Sequence, residues 1–265
     1  MIQPGGTYVV MGLFDRESIA WTVGETIRGM GGRVVYTIQS EVLKRRYLDR
    51  SLSPQERDAL EFRFCDATSD PEVAAVFSGL GTVAGVVHSV AYANPKTCMG
   101  EEFHTDAIAD VLKSYEVSAV SLATVTKHAA TAMPQGGSIV ALTFDTHHAY
   151  PLYNWMGVHK AALEALVRAL ARRHGRDGIR VNAVSSGPLA TFSTSKIPGF
   201  DELVKTWAAS SPLPWDPRTS RQDVADAVVF LLGPHSKKIT GHVLPVDGGA
   251  AISGGELLDF EKRPH

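Results

Sequence analysis

Apolar positions along the chain fall into two alternating rhythms. Short runs rich in Val, Ile and aromatic residues are separated by longer stretches in which apolar side chains return every three or four residues, the pattern of β-strands interleaved with amphipathic helices. The predicted strands are Thr7–Met11, Arg33–Ile38, Glu61–Cys65, Val83–His88, Ser138–Leu142, Arg180–Val184 and His242–Val246. Seven such strands predict the α/β class: a single-domain Rossmann fold, a doubly wound seven-stranded parallel sheet with helices on both faces. Pro245 falls in the last strand, where a missing amide is tolerated best at an edge or a bulge. Ligands of such sheets bind beyond the carboxyl ends of the strands, so the chemistry is expected at those tips.

Composition narrows the picture without adding chemistry. With 265 residues, 44% hydrophobic and 20% charged, and with no linker, charge run or repeat dividing it, the chain is expected to form one unit over residues 1–265. A net charge of −2 gives no electrostatic footprint for nucleic acid or an anionic membrane. The two cysteines, Cys65 and Cys98, are too few for a disulfide framework and lie in no ligand spacing. A reducing compartment and no structural metal are expected. With no signal-like N-terminus and no long apolar stretch, the expected location is the cytoplasm.

The strand tips carry the candidate chemistry. Gly12 ends the first strand and Ser18 opens a helix whose apolar positions are Ile19, Val23 and Ile27; a glycine turn before a helix N-terminus suits a pyrophosphate. The full G-x-G-x-x-G is absent, and a plain turn with Ser18 as a cap fits equally. The second strand ends at Gln39-Ser40 with no Asp or Glu for a ribose and no Arg for a 2′-phosphate; Lys44, Arg45 and Arg46 follow one turn later, as a solvated face or a phosphate partner. Asp66 after the third strand is an adenine acceptor or a helix cap. His88 reads as a satisfied core histidine. Ser89-Val90-Ala91-Tyr92 after the fourth strand is small enough for a ligand to lie on its backbone. Gly187-Pro188 breaks the chain after the sixth strand, bringing its backbone and Thr191 within reach of a carboxamide or phosphate.

Tyr153 and Lys160, in Tyr153-Asn-Trp-Met-Gly-Val-His-Lys160, form the most informative pair. Seven residues span about 10 Å along a helix and return to nearly the same face. A cation near a phenol favours the phenolate and makes the hydroxyl a better donor to a developing oxyanion. A half-buried tyrosine and a solvated lysine are the bland alternative.

Taken in order, these motifs resemble the short-chain dehydrogenase/reductase superfamily, and within it the enoyl-[acyl-carrier-protein] reductase family, from Tyr8 to about Ile252. The resemblance is carried by Gly12-x5-Ser18-Ile19-Ala20, by Ser89-Val90-Ala91-Tyr92, by Gly187-Pro188-Leu189-x-Thr191 and by Thr240-Gly241-x4-Val246-Asp247-Gly248-Gly249. Tyr-x6-Lys discriminates, because ordinary short-chain enzymes use Tyr-x3-Lys and here Met156 stands four before Lys160. Phe144-Asp145 followed by Tyr153-Asn-Trp-Met156 looks closest to the mycobacterial type. Ala91 replaces a usual glycine, and His147-His148 lie beside the site; both are departures.

The resemblance implies NADH-dependent reduction of the trans-2 double bond of an enoyl thioester, carried on acyl carrier protein or coenzyme A, in fatty-acid synthesis. NADPH is the less favoured cofactor. Tyr153 would stabilise the enolate oxygen, Lys160 would hold the nicotinamide ribose, and Phe144 stands where many members carry a second tyrosine. Cofactor contacts are implied for Gly12, Ser18, Ile19, Gln39, Asp66, Ala67, Ser89, Val90, Ala91, Lys160, Gly187, Leu189 and Thr191. Substrate contacts are expected at Tyr92, Tyr153, Met156, Phe192 and Ile197. Residues 191–212 match a substrate lid, shorter than in the mycobacterial long-chain enzymes, which suggests short to medium acyl chains; a helix packed on the core is the alternative. A homotetramer is implied, with the Tyr153 helix and a helix beginning near Asp106 buried between subunits and Ala161, Ala162, Ala165 and Ala169 as a small-residue face. A short-chain reductase or dehydrogenase of a specialised metabolite and a cofactor-binding protein without turnover are the other readings.

Overall fold

The computed structural model describes residues 2–258. The ends of the single unit expected over 1–265 lie outside them. β1 (Thr7–Met11), β2 (Arg33–Ile38), β3 (Phe62–Phe64), β4 (Val83–His88), β5 (Gly137–Thr143), β6 (Ile179–Ser186) and β7 (Val243–Val246) form one sheet in the order β3-β2-β1-β4-β5-β6-β7. Every neighbouring pair is parallel. The five inner strands are as apolar and buried as a sheet covered on both faces requires, while the edge strands β3 and β7 are only partly buried.

Side-chain alternation divides the core in two. On one face Val9, Met11, Val35, Val86, Ile139 and Val181 pack with Val73, Leu122, Val125, Leu163 and Val167. On the other, Tyr8, Val10, Val34, Tyr36, Val87, Val140 and Val184 meet Val23, Ile27, Val224 and Val228. The helices responsible are Ile19–Gly29 and Arg221–Leu232 on the second face, and Asp70–Phe77, Ser121–Thr131 and Asn154–His174 on the first.

The strands lie where the pattern puts them, with shifted ends. β3 is confined to Phe62–Phe64, while β6 runs on to Ser186 because Ser185 and Ser186 pair with Pro245 and Val246. Those serines are polar, so an apolar pattern stops short of them. Pro245 stands in β7, an edge strand, where its missing amide leaves no central ladder incomplete. The helix expected from near Asp106 begins at Ile108, widens to one π-helical turn at Glu116–Val120 and continues as Ser121–Thr131. Among the described residues no helix is long and apolar enough to cross a membrane.

A candidate active site at the strand tips

Strand order reverses between β1 and β4, whose tips pair Met11 with His88. This switch point is where a ligand crevice opens. Gly12 has φ +85, and a Cβ there would stand 2.1 Å from the Ser89 carbonyl oxygen, so the two backbones touch where the crevice begins. In the helix that follows, Ser18 occupies the N-cap position without capping: its hydroxyl donates to the Asp15 carbonyl at 2.6 Å. The Ile19 and Ala20 amides, first in the helix, have no hydrogen-bond partner among the described residues. Two unpaired amides at the positive end of an 11-residue helix are the donor set a pyrophosphate needs, so a dinucleotide fits here.

The expected adenosine end is built from Gln39 and Asp66. Asp66 does not cap a helix; its Oδ1 accepts from the Thr68 amide at 2.9 Å and hydroxyl at 2.7 Å, and Ser69 takes the cap position. Burial would raise its pKa, but the Thr68 bonds, the Lys113 charge and the Gln39 side chain together hold it below the usual carboxylate range. Gln39 and Asp66 therefore lie together, with Ala67 buried beside them. The basic run 44–46 sits in a π-helical turn, Lys44–Leu48, rather than on a plain helix face. Lys44 pairs with Asp49 at 2.7 Å and Arg45 pairs with Glu41, while Arg46 lies over the Tyr47 ring.

Beyond β4, Ser89 and Val90 are half-buried and Ala91 and Tyr92 exposed. The Tyr92 backbone is fixed from below: its amide donates to the Ser118 hydroxyl, and the Ser114 and Ser118 hydroxyls donate to its carbonyl. His88 is only half satisfied. Ser121 Oγ donates to the Val117 carbonyl, so it accepts from His88 Nε2 at 2.8 Å, and His88 Nδ1 has no partner among the described residues. Full burial, with Lys160 nearby, lowers its pKa to about 3, which keeps it neutral.

Tyr153 and Lys160 meet the β5 tip by different routes. The helix is Asn154–His174, and Tyr153 is its N-cap rather than a member of a helical face. It is held in a turn between two left-handed non-glycine residues, Leu152 (φ 67) and Asn154 (φ 31), a conformation that persists only when its surroundings enforce it. The loop after β4 enforces it: Gly100 N–H donates to the Leu152 carbonyl, Trp155 N–H to that of Cys98, and Asn154 Nδ2 to that of Gly100. The Tyr153 ring packs on buried Phe144, centroids 4.9 Å apart, and its hydroxyl makes no hydrogen bond among the described residues. Burial pushes its pKa up, against the expected acidification by a nearby cation; desolvation outweighs any field from Lys160.

Lys160 is buried, not solvated, and its Nζ donates to the Leu142 carbonyl at 2.8 Å. Burial depresses it to about 8, opposed by Glu164. Glu164 in turn accepts from the Thr143 and Thr146 hydroxyls, tying the helix to the end of β5. Met156 is buried one turn before Lys160.

The segment after β6 lies over this tip. Buried Leu189 is followed by a turn in which the Thr194 hydroxyl donates to the Leu189 carbonyl and accepts from the Thr191 amide. Phe192 stacks on Phe14 at 4.7 Å and leans on Tyr47 at 4.7 Å, while Phe14 and Tyr47 stand 4.4 Å apart. After a turn at Thr194–Lys196 and half-buried Ile197, the helix Phe200–Ser210 lays buried Trp207 on Phe144, 5.3 Å between centroids. Gly187 serves this packing rather than offering open backbone: a Cβ there would stand 2.7 Å from both Trp207 Nε1 and Trp215 Cε2.

Three features escaped the sequence reading. The strained turn around Tyr153 has only half a sequence mark, since asparagine at 154 favours the left-handed region but leucine at 152 does not. The Phe14–Tyr47–Phe192 cluster joins three distant segments. The third is a carboxylate network: buried Asp145 accepts from the His147 amide and Nδ1 through Oδ1, and from His148 Nδ1 and the Tyr150 hydroxyl through Oδ2. Its signal is Asp145-x-His147-His148-x-Tyr150, in which Asp145 and the histidine pair stand out in the sequence but nothing local links them to Tyr150.

Comparison with known proteins is consistent with this geometry. The family model described as Enoyl-(Acyl carrier protein) reductase matches residues 12–251. An enoyl-[acyl-carrier-protein] reductase [NADH] of Bacillus cereus is 36% identical over 257 residues, 94% of this chain and 98% of that protein. An NADPH enzyme of the same name from Staphylococcus aureus is 35% identical over 248 residues, 92% and 95% of the two chains. Among solved structures, the Anaplasma phagocytophilum reductase in complex with NAD superposes with a TM-score of 0.86 at 31% identity, over 96% of this chain and 97% of that one. The Bacillus cereus reductase with NADP+ and an indole naphthyridinone gives 0.84 at 34%, over 95% and 98%.

Proposed function

We propose an activity for a chain that belongs to the enoyl-(acyl carrier protein) reductase family of the short-chain dehydrogenases/reductases: NADH-dependent reduction of the trans-2 double bond of enoyl thioesters on acyl carrier protein. Coenzyme A thioesters are proposed as alternative carriers. The observation that carries the reading is that the Tyr153 ring packs on Phe144 just past β5, its hydroxyl without a protein partner among the described residues, while the buried Lys160 ammonium is held on the Leu142 carbonyl of the same strand, beside a switch point whose helix amides suit a pyrophosphate.

Bound NADH supplies the hydride that adds at Cβ of the enoyl group. Tyr153, its hydroxyl uncommitted, donates to the thioester carbonyl, where negative charge develops, and Phe144 and Trp207 hold its ring and exclude water. Lys160, anchored by Leu142, reaches the nicotinamide ribose. The Ile19 and Ala20 amides receive the pyrophosphate with Ser18 and Gly12 at its flank, and Gln39, Asp66 and Ala67 receive the adenosine. Ser89, Val90, Ala91, Leu189 and Thr191 line the remainder, with Gly187 packed beneath Trp207 and Trp215, and Tyr92, Met156, Phe192 and Ile197 face the acyl chain. Residues 191–212 act as the lid. The short lid favours short to medium chains.

The β2 tip, Gln39-Ser40, carries no basic side chain, Lys44 and Arg45 are engaged with Asp49 and Glu41, and Arg46 lies over the Tyr47 ring; this supports NADH over NADPH, since a 2′-phosphate needs a bidentate partner at the tip. A homotetramer is supported by Ile108, Leu112 and Tyr115, spaced i, i+4, i+7 and exposed, with exposed Val158 near the head of the Tyr153 helix.

NADH oxidation at 340 nm with crotonyl and longer enoyl thioesters, beside a panel of ketones and repeated with NADPH, tests the reading. Turnover of enoyl thioesters with the higher kcat/KM on NADH is expected. Ketone reduction without enoyl reduction overturns it, and an equal or better kcat/KM with NADPH overturns the cofactor choice.

A further inference from the structure

Adding a hydride at Cβ leaves an enolate that still needs a proton at Cα. Phe144 has none to give. The Tyr153 hydroxyl is bonded to no protein group that would restore a proton it gave away. One further hydroxyl stands on the same aromatic wall: the Tyr150 ring is 5.0 Å from Phe144 and 5.4 Å from Trp207. Unlike Tyr153, it is wired. Its hydroxyl donates to Asp145 Oδ2 at 2.8 Å, and the same oxygen receives His148 Nδ1 at 2.7 Å. The Asp145 side chain is only 5% exposed, whereas that of His148 is 56% exposed. One carboxylate oxygen thus joins a hydroxyl in the site wall to an imidazole in solvent.

Resting on the enoyl-reduction reading above, we propose that Tyr150 is the acid that protonates Cα, reloaded from solvent through His148 and Asp145. The His148 proton moves to Asp145 Oδ2, which then donates to Tyr150 Oη and frees the Tyr150 hydrogen to turn toward the substrate. The Oη–H bond breaks as Cα–H forms from the enolate pair and the carbonyl is restored. Oη takes the proton held on Asp145; His148 takes one from water at Nε2 as it gives up that at Nδ1, and exchange with solvent returns the ring to the Nδ1–H tautomer that Asp145 binds. One proton enters for each hydride, and no further reactant is needed.

The charges around the relay suit it. Burial, the Asp145 hydrogen bond and the nearby Asp145 and Asp247 charges all raise the Tyr150 pKa, so the phenol stays protonated until a base as strong as an enolate arrives. Burial would raise Asp145, but its bonds from His147, His148 and Tyr150 hold it below the usual carboxylate range, so it rests ionised and passes a proton on to Tyr150 rather than retaining it. Asp247 is occupied by the Gly249 and Ala251 amides and does not compete for the hydroxyl.

The test is reduction of crotonyl thioester with NADH in D2O, reading the configuration of the deuterium at Cα. Wild-type protein is expected to give one epimer. Tyr150→Phe is expected to give both, because bulk water then reaches either face, with kcat lower by about 10² or more, the usual worth of a general acid, and an NADH dissociation constant within twofold of wild type. His148→Gln spares the donor and slows its reloading: one epimer is expected with a kcat at least several-fold lower. A single epimer from Tyr150→Phe, whatever its rate, overturns the assignment of Tyr150, and a wild-type kcat in His148→Gln overturns the relay. Failure of the wild-type protein to reduce the enoyl thioester would instead strike the proposed function.

Discussion

Leu152 fills the space that a side chain on Gly199 would need: its Cδ1 lies 2.2 Å from the position of a Cβ there. Gly199, at the head of the lid helix, has φ +68, and Leu152, directly before Tyr153, has φ 67. Two left-handed residues, one on the lid and one on the tyrosine turn, are packed against each other.

Gly199→Ala is therefore expected to lift the lid from the tyrosine turn. The left-handed conformation costs alanine about 1–2 kcal/mol, and the Leu152 side chain must swing away as well. The enoyl-thioester KM should rise several-fold and kcat fall, with NADH affinity unchanged. Unaltered KM and kcat in steady-state assays would show that this contact does not govern closure.

Phe192→Ala probes the other end of the lid. Its ring bridges Phe14, on the loop between Gly12 and Ser18, and Tyr47, beyond the β2 tip, so the cluster spans the crevice proposed for the pyrophosphate. Each aromatic pair is worth about 0.5–1.5 kcal/mol, and losing two should speed NADH release about tenfold. Stopped-flow NADH fluorescence reads this directly; a wild-type dissociation rate would mean the rings close nothing.

Leu112→Glu tests the assembly. Leu112 is 61% exposed, and Ile108 and Tyr115 share its stripe. A charge there should reduce the mass in light scattering from four chains to two or one while far-UV circular dichroism stays unchanged. A tetrameric mass for the variant would move the interface elsewhere.

The sheet and its switch point were legible because β-branched runs and Gly12 report directly on strands and on a close backbone approach. Lys160 was legible as a residue but not as a buried one, since its burial depends on Leu142 and Glu164, distant in sequence or ordinary in type. Asp66 shows the limit of local reading: a cap and an Asx turn use the same residue, and only the Thr68 hydrogen bonds decide. The Tyr153 turn and the Tyr150 relay depend on loop geometry, which apolar periodicity does not encode.

Lys160 and Tyr153 should separate by pH and by step. In the folded protein burial lowers Lys160 from its ordinary 10.5 to about 8. As pH rises through 8 the ammonium is lost, the ribose loses a charged donor, and NADH affinity should fall. Folding stability moves the opposite way. Between about 8 and 10.5 the unfolded chain holds the proton that the folded one has released, so this group's contribution rises with pH, by an amount on the order of 3 kcal/mol over the full window. Lys160→Met should flatten both trends and weaken NADH binding at pH 7. Tyr153→Phe should instead leave NADH binding and its pH dependence intact while lowering kcat by about 10²–10³, the worth of one oxyanion donor. NADH titrations and denaturant melts from pH 7 to about 10 on the three proteins check the signs. An NADH affinity that does not fall across pH 8 in the wild-type protein would show that the lysine charge is not what holds the cofactor.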